Sequence, residues 1–127
     1  MGFTSDDYWK YLIVALLSVN QYKLSKTYLK INELEIAGLF IPSNLVEWNQ
    51  EKIIEKLIEA QCDRGEFMNN IFSSRIKEIG NTINVYGQTY CEQIFASQDK
   101  EKIKNFLIGI KGVGKVVIDN FFILVES

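Results

Sequence analysis

A glycine, a valine and a second glycine separate two apolar runs in "IGIKGVGKVVIDNFF", residues 108–122. Neither glycine has a Cβ, so Gly112 and Gly114 permit positive φ or a close approach that other residues resist. Apolar residues at Phe106, Leu107, Ile110, Val113, Val117 and Phe121 flank the turn at helical spacing. Two helices and the intervening valine therefore have to bury together, with Val113 as a plug in the core. The chain must reverse here, and tightly enough for the two helices to share one core.

The remaining segments also read as helices. Ser5 or Asp6 caps a first helix whose stripe is Leu12, Leu16 and Val19, broadened by Ile13 and Leu17. A second is expected over 24–34, followed by a loop punctuated by Gly38 and Pro42, and a third over 50–60. Residues 67–83 form one long helix or two joined near Ser73 and Ser74. A short helix follows over 88–95, then one capped by Ser97 or Asp99 that runs through Leu107. No useful length alternates with period two. The expectation is an all-α fold of about seven short helices in a single domain, residues 1–127, with a helix-hairpin-helix at 99–125.

The composition is that of a globular domain, 47% hydrophobic and 24% charged, so 127 residues can enclose one core without a disulfide or metal staple. There is no histidine, and Cys62 and Cys91 are far apart, which excludes a Ser-His-Asp triad, a Cys-His nucleophile and the usual zinc sites. The cysteines read as small buried hydrophobes. The apolar stretch "YLIVALLSV" is nine residues long and follows Asp6 and Asp7. It suits neither a signal peptide nor a membrane span, so an intracellular setting and no membrane partner are expected.

Charge is more informative in its distribution than in its sum of -2. Residues 20–30 hold three lysines and no acid, and residues 99–115 hold five lysines and two acids. Residues 33–66 hold eight acids and three bases. Two basic segments flank an acidic one, either as a phosphate-facing surface or as solvated helix faces. The row Glu51, Glu55 and Glu59 has no partner group and reads as surface charge. Most tyrosines and both tryptophans read as core at helical spacing; Tyr22, at a helix end, is the candidate for stacking on bases.

The turn itself has chemistry. Amides after it stand at the N-terminus of the next helix, where unpaired donors and the positive end of the dipole suit an anion, most often a nucleic-acid phosphate. Lys111, Gly112, Val113, Gly114 and Lys115 are the candidate phosphate-binding residues. Asn20, Gln21, Tyr22 and Lys23, at the end of the first helix, are a candidate second contact. Contacts of this kind read no base edge. The plain alternative is that the glycines only end one helix and begin another.

The turn resembles the L-P-G-V-G-x-K-T-A hairpin of the helix-hairpin-helix DNA glycosylases, the endonuclease III-like superfamily. "YLIVALLSVNQYKLSKTY" is similar to that family's L-L-S-A-Q-A-T-D helix end, and "FSSRIKEIGNTI" to the segment ahead of its hairpin. The resemblance implies a lobe like the family's six-helix-barrel domain, and puts Asn20 where the family has the glutamine that enters the space of an extruded base. It also implies what is missing. Val116 stands where bifunctional members carry the Schiff-base lysine, and Lys115, one residue off, points about 100° away around the helix. The family's aspartate falls beyond Ser127, with Asp119 too early to match, and no iron-sulfur cysteines follow. No cofactor is expected, although a monovalent cation at the turn is compatible with the resemblance.

Three functions follow as expectations. The first is a catalytically incomplete glycosylase-like module that binds the DNA backbone without sequence preference, in base-excision repair or another DNA process, at the nucleoid or in a nucleus. The second is a protein-interaction or homodimerising domain whose turn is only structural. The third is a repair glycosylase completed by another chain.

Overall fold

A computed structural model describes residues 8–19 and 23–126, and every regular element among them is an α-helix. In chain order these are α1 (Tyr8–Leu17), α2 (Leu24–Tyr28), α3 (Ile31–Ile36), α4 (Pro42–Glu47), α5 (Gln50–Glu59), α6 (Glu66–Tyr86), α7 (Gln88–Ala96), α8 (Lys100–Ile108) and α9 (Lys115–Glu126). The all-α expectation holds, while the expected seven helices are nine among the described residues. The proposed caps Ser5 and Asp6 lie outside them.

Two local effects account for the difference. The run expected over 24–34 breaks at Lys30, whose φ of -100° and ψ of 12° leave the helical region, and whose N–H turns back to Thr27 O at 2.9 Å. Its carbonyl then starts α3 by accepting from Leu34 N at 2.9 Å. Pro42, expected to punctuate a loop, instead opens α4 at the first helical position. Its missing N–H removes nothing there, and its fixed φ is already helical.

The stretch with two readings is one helix. α6 runs 21 residues, about 30 Å, without a break at its serines, because Ser73 is buried and its Oγ donates to Asn70 O of the preceding turn at 3.1 Å. α4 lies across it backbone to backbone. Lys77 Nζ of α6 donates to the α4 carbonyls of Leu45 and Val46 at 3.3 and 2.8 Å. One turn on, a Cβ at Gly80 would stand 2.0 Å from Leu45 O, so only glycine fits beneath α4.

α1 is the central helix: eight of its ten residues are buried. Its C-terminal carbonyls are met by side chains from elsewhere. Asn120 of α9 donates to Ala15 O at 3.4 Å and Ser18 O at 3.0 Å, and Arg64 donates to Leu17 O and, at 3.3 Å, to Thr27 Oγ1. At the other end of the core, Phe95 of α7 stacks on Tyr8 at 4.8 Å. It also meets the rings of Trp9, Phe106 and Phe121 at 5.3, 6.0 and 5.7 Å. That one ring joins α1, α7, α8 and α9. Cys62 and Cys91 are buried and unpaired, as read from sequence, and burial pushes both thiols up.

The 63–65 link into α6 is held by a polar knot. Asp63 Oδ1 accepts from Asn69 Nδ2 at 2.8 Å and Gly65 N at 3.1 Å, which together hold its carboxyl below the ordinary value of 3.8. Asn69 Oδ1 accepts from Arg64 N at 3.0 Å.

Two outcomes are expected. Gly80→Ala, which drives a methyl into an immovable carbonyl, lowers the unfolding free energy by about 3 kcal/mol or more in urea titrations. Asp63, depressed when folded, contributes stability above about 3.8 that is lost as pH falls through its folded value. The gap in urea midpoint between the wild type and Asp63→Asn should therefore close as pH falls across that range.

Candidate nucleic-acid interface

The reversal read from sequence lies between α8 and α9. Gly109 caps α8 in ordinary helical geometry; Ile110 N then donates to Leu107 O, and Val113 N to Ile110 O, both at 3.0 Å. Gly112 has φ +91°, a conformation that side chains resist. Gly114 is not in the left-handed region, and its carbonyl accepts the bond from Ile118 N at 3.0 Å that opens α9. Amides ahead of that bond, at Lys115, Val116 and Val117, have no acceptor within the helix.

Side chains at the turn alternate between core and water. Val113 and Val117 are buried, and Val113 is 4% exposed as the expected plug. Lys111, Gly112, Gly114, Lys115 and Val116 are exposed. Outside them is a shallow concavity of about 450 Å³, lined by Val19, Arg75 and residues 112–117.

Arg75 belongs to "FSSRIKEIGNTI", the segment similar to the one ahead of the family's hairpin. Its aliphatic stem lies on the turn: a Cβ at Gly112 would be 2.7 Å from Arg75 Cγ. The side chain is half-buried and makes no hydrogen bond or ion pair among the described residues. Gly112 thus lacks a side chain for two reasons, its φ and this stem. Gly114 has neither, since a Cβ there would have no neighbour within 4 Å among the described residues.

The two lysines of the turn differ. Lys111 faces a neighbouring groove of about 460 Å³, beside Phe67, Ile71, Arg75 and Glu78. Lys115 is engaged by Asp119 one turn on, at 2.8 Å, and this hydrogen bond and charge hold its ammonium pKa above the ordinary value.

The second candidate contact is described in part. Asn20, Gln21 and Tyr22 lie outside the described residues; Lys23 is exposed ahead of α2. Val19, which follows α1, borders the concavity. The other lysines of the basic segments disperse. Lys26 and Lys30 border a separate concavity with residues 61–64, and Lys100 pairs with Glu126 at 3.1 Å. Lys102 borders a third cleft. The core reading of the aromatics holds for Tyr8 and Trp9 but fails for Tyr28, Tyr86 and Tyr90, which are 44, 58 and 50% exposed. Tyr86 ends α6 and Tyr90 lies in the first turn of α7, and the two rings stack on each other outside the core. Glu51, Glu55 and Glu59 are exposed, as expected.

The two turn glycines separate by substitution. Gly112→Ala, strained by its φ and pressed against Arg75, is expected to cost about 2 kcal/mol in thermal or urea unfolding. Gly114→Ala should stay within about 0.5 kcal/mol of wild type in the same measurement.

No family model, curated protein or solved structure matches the chain, so the reading of this turn rests on its own geometry.

Proposed function

We propose that the chain binds the DNA backbone, without reading sequence, through residues 111–115, as a helix-hairpin-helix module of glycosylase-like form. The observation that carries this reading is the vacancy above Gly114. Among the described residues a Cβ there would touch nothing, yet the position is a glycine beside the free amides of α9. Glycine at an unstrained, unobstructed position fits close approach by a ligand. The amides and the helix dipole favour an anion, and the guanidinium of Arg75 and ammonium of Lys111, both unpaired among the described residues, border the same turn. Val116 in place of the Schiff-base lysine fits a grip without lyase chemistry.

A second reading, a protein-interaction surface, is favoured by one observation. Phe67 is 75% exposed in the groove beside Lys111. Sedimentation showing a dimer with no affinity for DNA would select it.

Labelled duplex, titrated by fluorescence anisotropy between low and physiological salt, tests the DNA reading. Affinity should fall steeply with salt, and Lys111→Ala with Lys115→Ala should reduce the slope of log K against log salt by about one to two. Gly114→Ala should weaken binding at unchanged thermal stability. Binding that ignores salt, or the double substitution, sinks the proposal.

A further inference from the structure

On the α8 side of the same turn lies a cleft of about 320 Å³ whose character differs from the phosphate-facing concavity. One wall is Tyr86 and Tyr90, stacked with ring centroids 5.6 Å apart and planes 24° from parallel. Phe106 and Ile94 give it an apolar base, and Gly109 and Ile110 of the turn close one side. Lys102 and Asn105 of α8 border it. Among the described residues, neither tyrosine hydroxyl, the Lys102 ammonium nor the Asn105 amide makes a hydrogen bond or ion pair within the protein.

The arrangement is unusual for a solvated surface. Two tyrosines stack on each other while remaining half exposed, instead of turning into the core where Phe95 gathers the other rings. A flat apolar wall, hydrogen-bonding groups at its edges and a cation at its mouth match a nucleobase with its attached phosphate. The volume lies at the small end for ligand pockets, enough for one base and its sugar but not for a duplex. Gly109 and Gly112 are three residues apart, so the cleft and the phosphate-facing turn are within about 11 Å of each other along the backbone. A strand held at the turn therefore passes the mouth of the cleft.

We propose that the cleft between Tyr86, Tyr90 and α8 receives an unpaired nucleobase from the DNA strand whose backbone the turn holds. This rests on the DNA reading of the turn. The stacked tyrosines extend onto the base, and Lys102 meets the adjoining phosphate. The module then prefers DNA with an unpaired segment over blunt duplex, without preference for one base, since every base offers a π-face.

The full chain is titrated with blunt duplex, with the same duplex carrying a thymidine overhang, and with oligo(dT) of about 12 nucleotides. The overhang should bind about tenfold more tightly than the blunt duplex. Tyr90→Ala and Tyr86→Ala should each remove most of that gain while leaving blunt-duplex affinity and thermal stability unchanged. Tyr90→Phe, which keeps the ring, should retain it. Lys102→Met should lower the overhang gain and the salt slope on the overhang together. Equal affinity for blunt and overhang duplexes, or an overhang gain that survives both alanine variants, overturns the inference while the backbone reading stands. Tighter binding of oligo(U) than of oligo(dT) also overturns it, by assigning the cleft to RNA. Loss of all binding to blunt duplex at low salt removes the backbone reading itself, and with it the ground for this one.

Discussion

An apolar helix with no polar face has to be enclosed, and α1 is such a helix. Its enclosure leaves carbonyls at its C-terminus away from water, and each unmet one would cost about 1–3 kcal/mol. Asn120 and Arg64 meet them from two directions. Arg64 also bonds Thr27 and lies 5.2 Å from the ring of Phe72, so one guanidinium ties α1, α2 and α6. Asn120 belongs to α9. By binding the end of α1 it fixes the rotation of α9 about its own axis, and hence which residues of its first turn face outward.

The turn between α8 and α9 separates its stability from its surface chemistry. Val113, Val117 and Phe121 face the core with Ile110 and Leu107, and Phe95 holds α8 and α9 against α1. Outward positions 111, 114, 115 and 116 contribute little to that core. A residue there can change what the turn binds without unfolding what supports it. Gly112 is the exception, because the turn needs its φ and Arg75 occupies the space beside it.

Helical periodicity made the all-α class and the turn at Gly112 legible, since each depends on local pattern, but it left open whether α6 was one helix or two joined at Ser73 and Ser74. The break at Lys30 was not, because the apolar spacing from Leu24 to Leu34 continues through it and only the backbone changes. α4 was hidden by Pro42, which ends helices and begins them with equal ease in a one-dimensional reading. At the candidate site, Lys111 to Lys115 could be named from sequence as neighbours. Arg75 could not be placed, as its contact with Gly112 joins residues 37 apart in the chain. The stacked pair of Tyr86 and Tyr90 escaped for a related reason: aromatic spacing tells which residues share a helix face but not whether anything covers that face.

The ion pair between Lys115 and Asp119 gives the turn a resident counter-ion. Asp119 travels with the chain, so it is present at a high effective concentration that no dilution of the solution lowers. An incoming anion must displace it to reach the lysine. Chloride or another small monoanion offers one point of attraction and gains little by the exchange. On the proposed DNA reading, a phosphodiester offers several oxygens at once, to the amides, to Arg75 and to the released ammonium. Both partners are largely exposed, so the pair is weak, and on the proposed DNA reading the exchange costs little and the carboxylate returns to the lysine when the phosphate leaves.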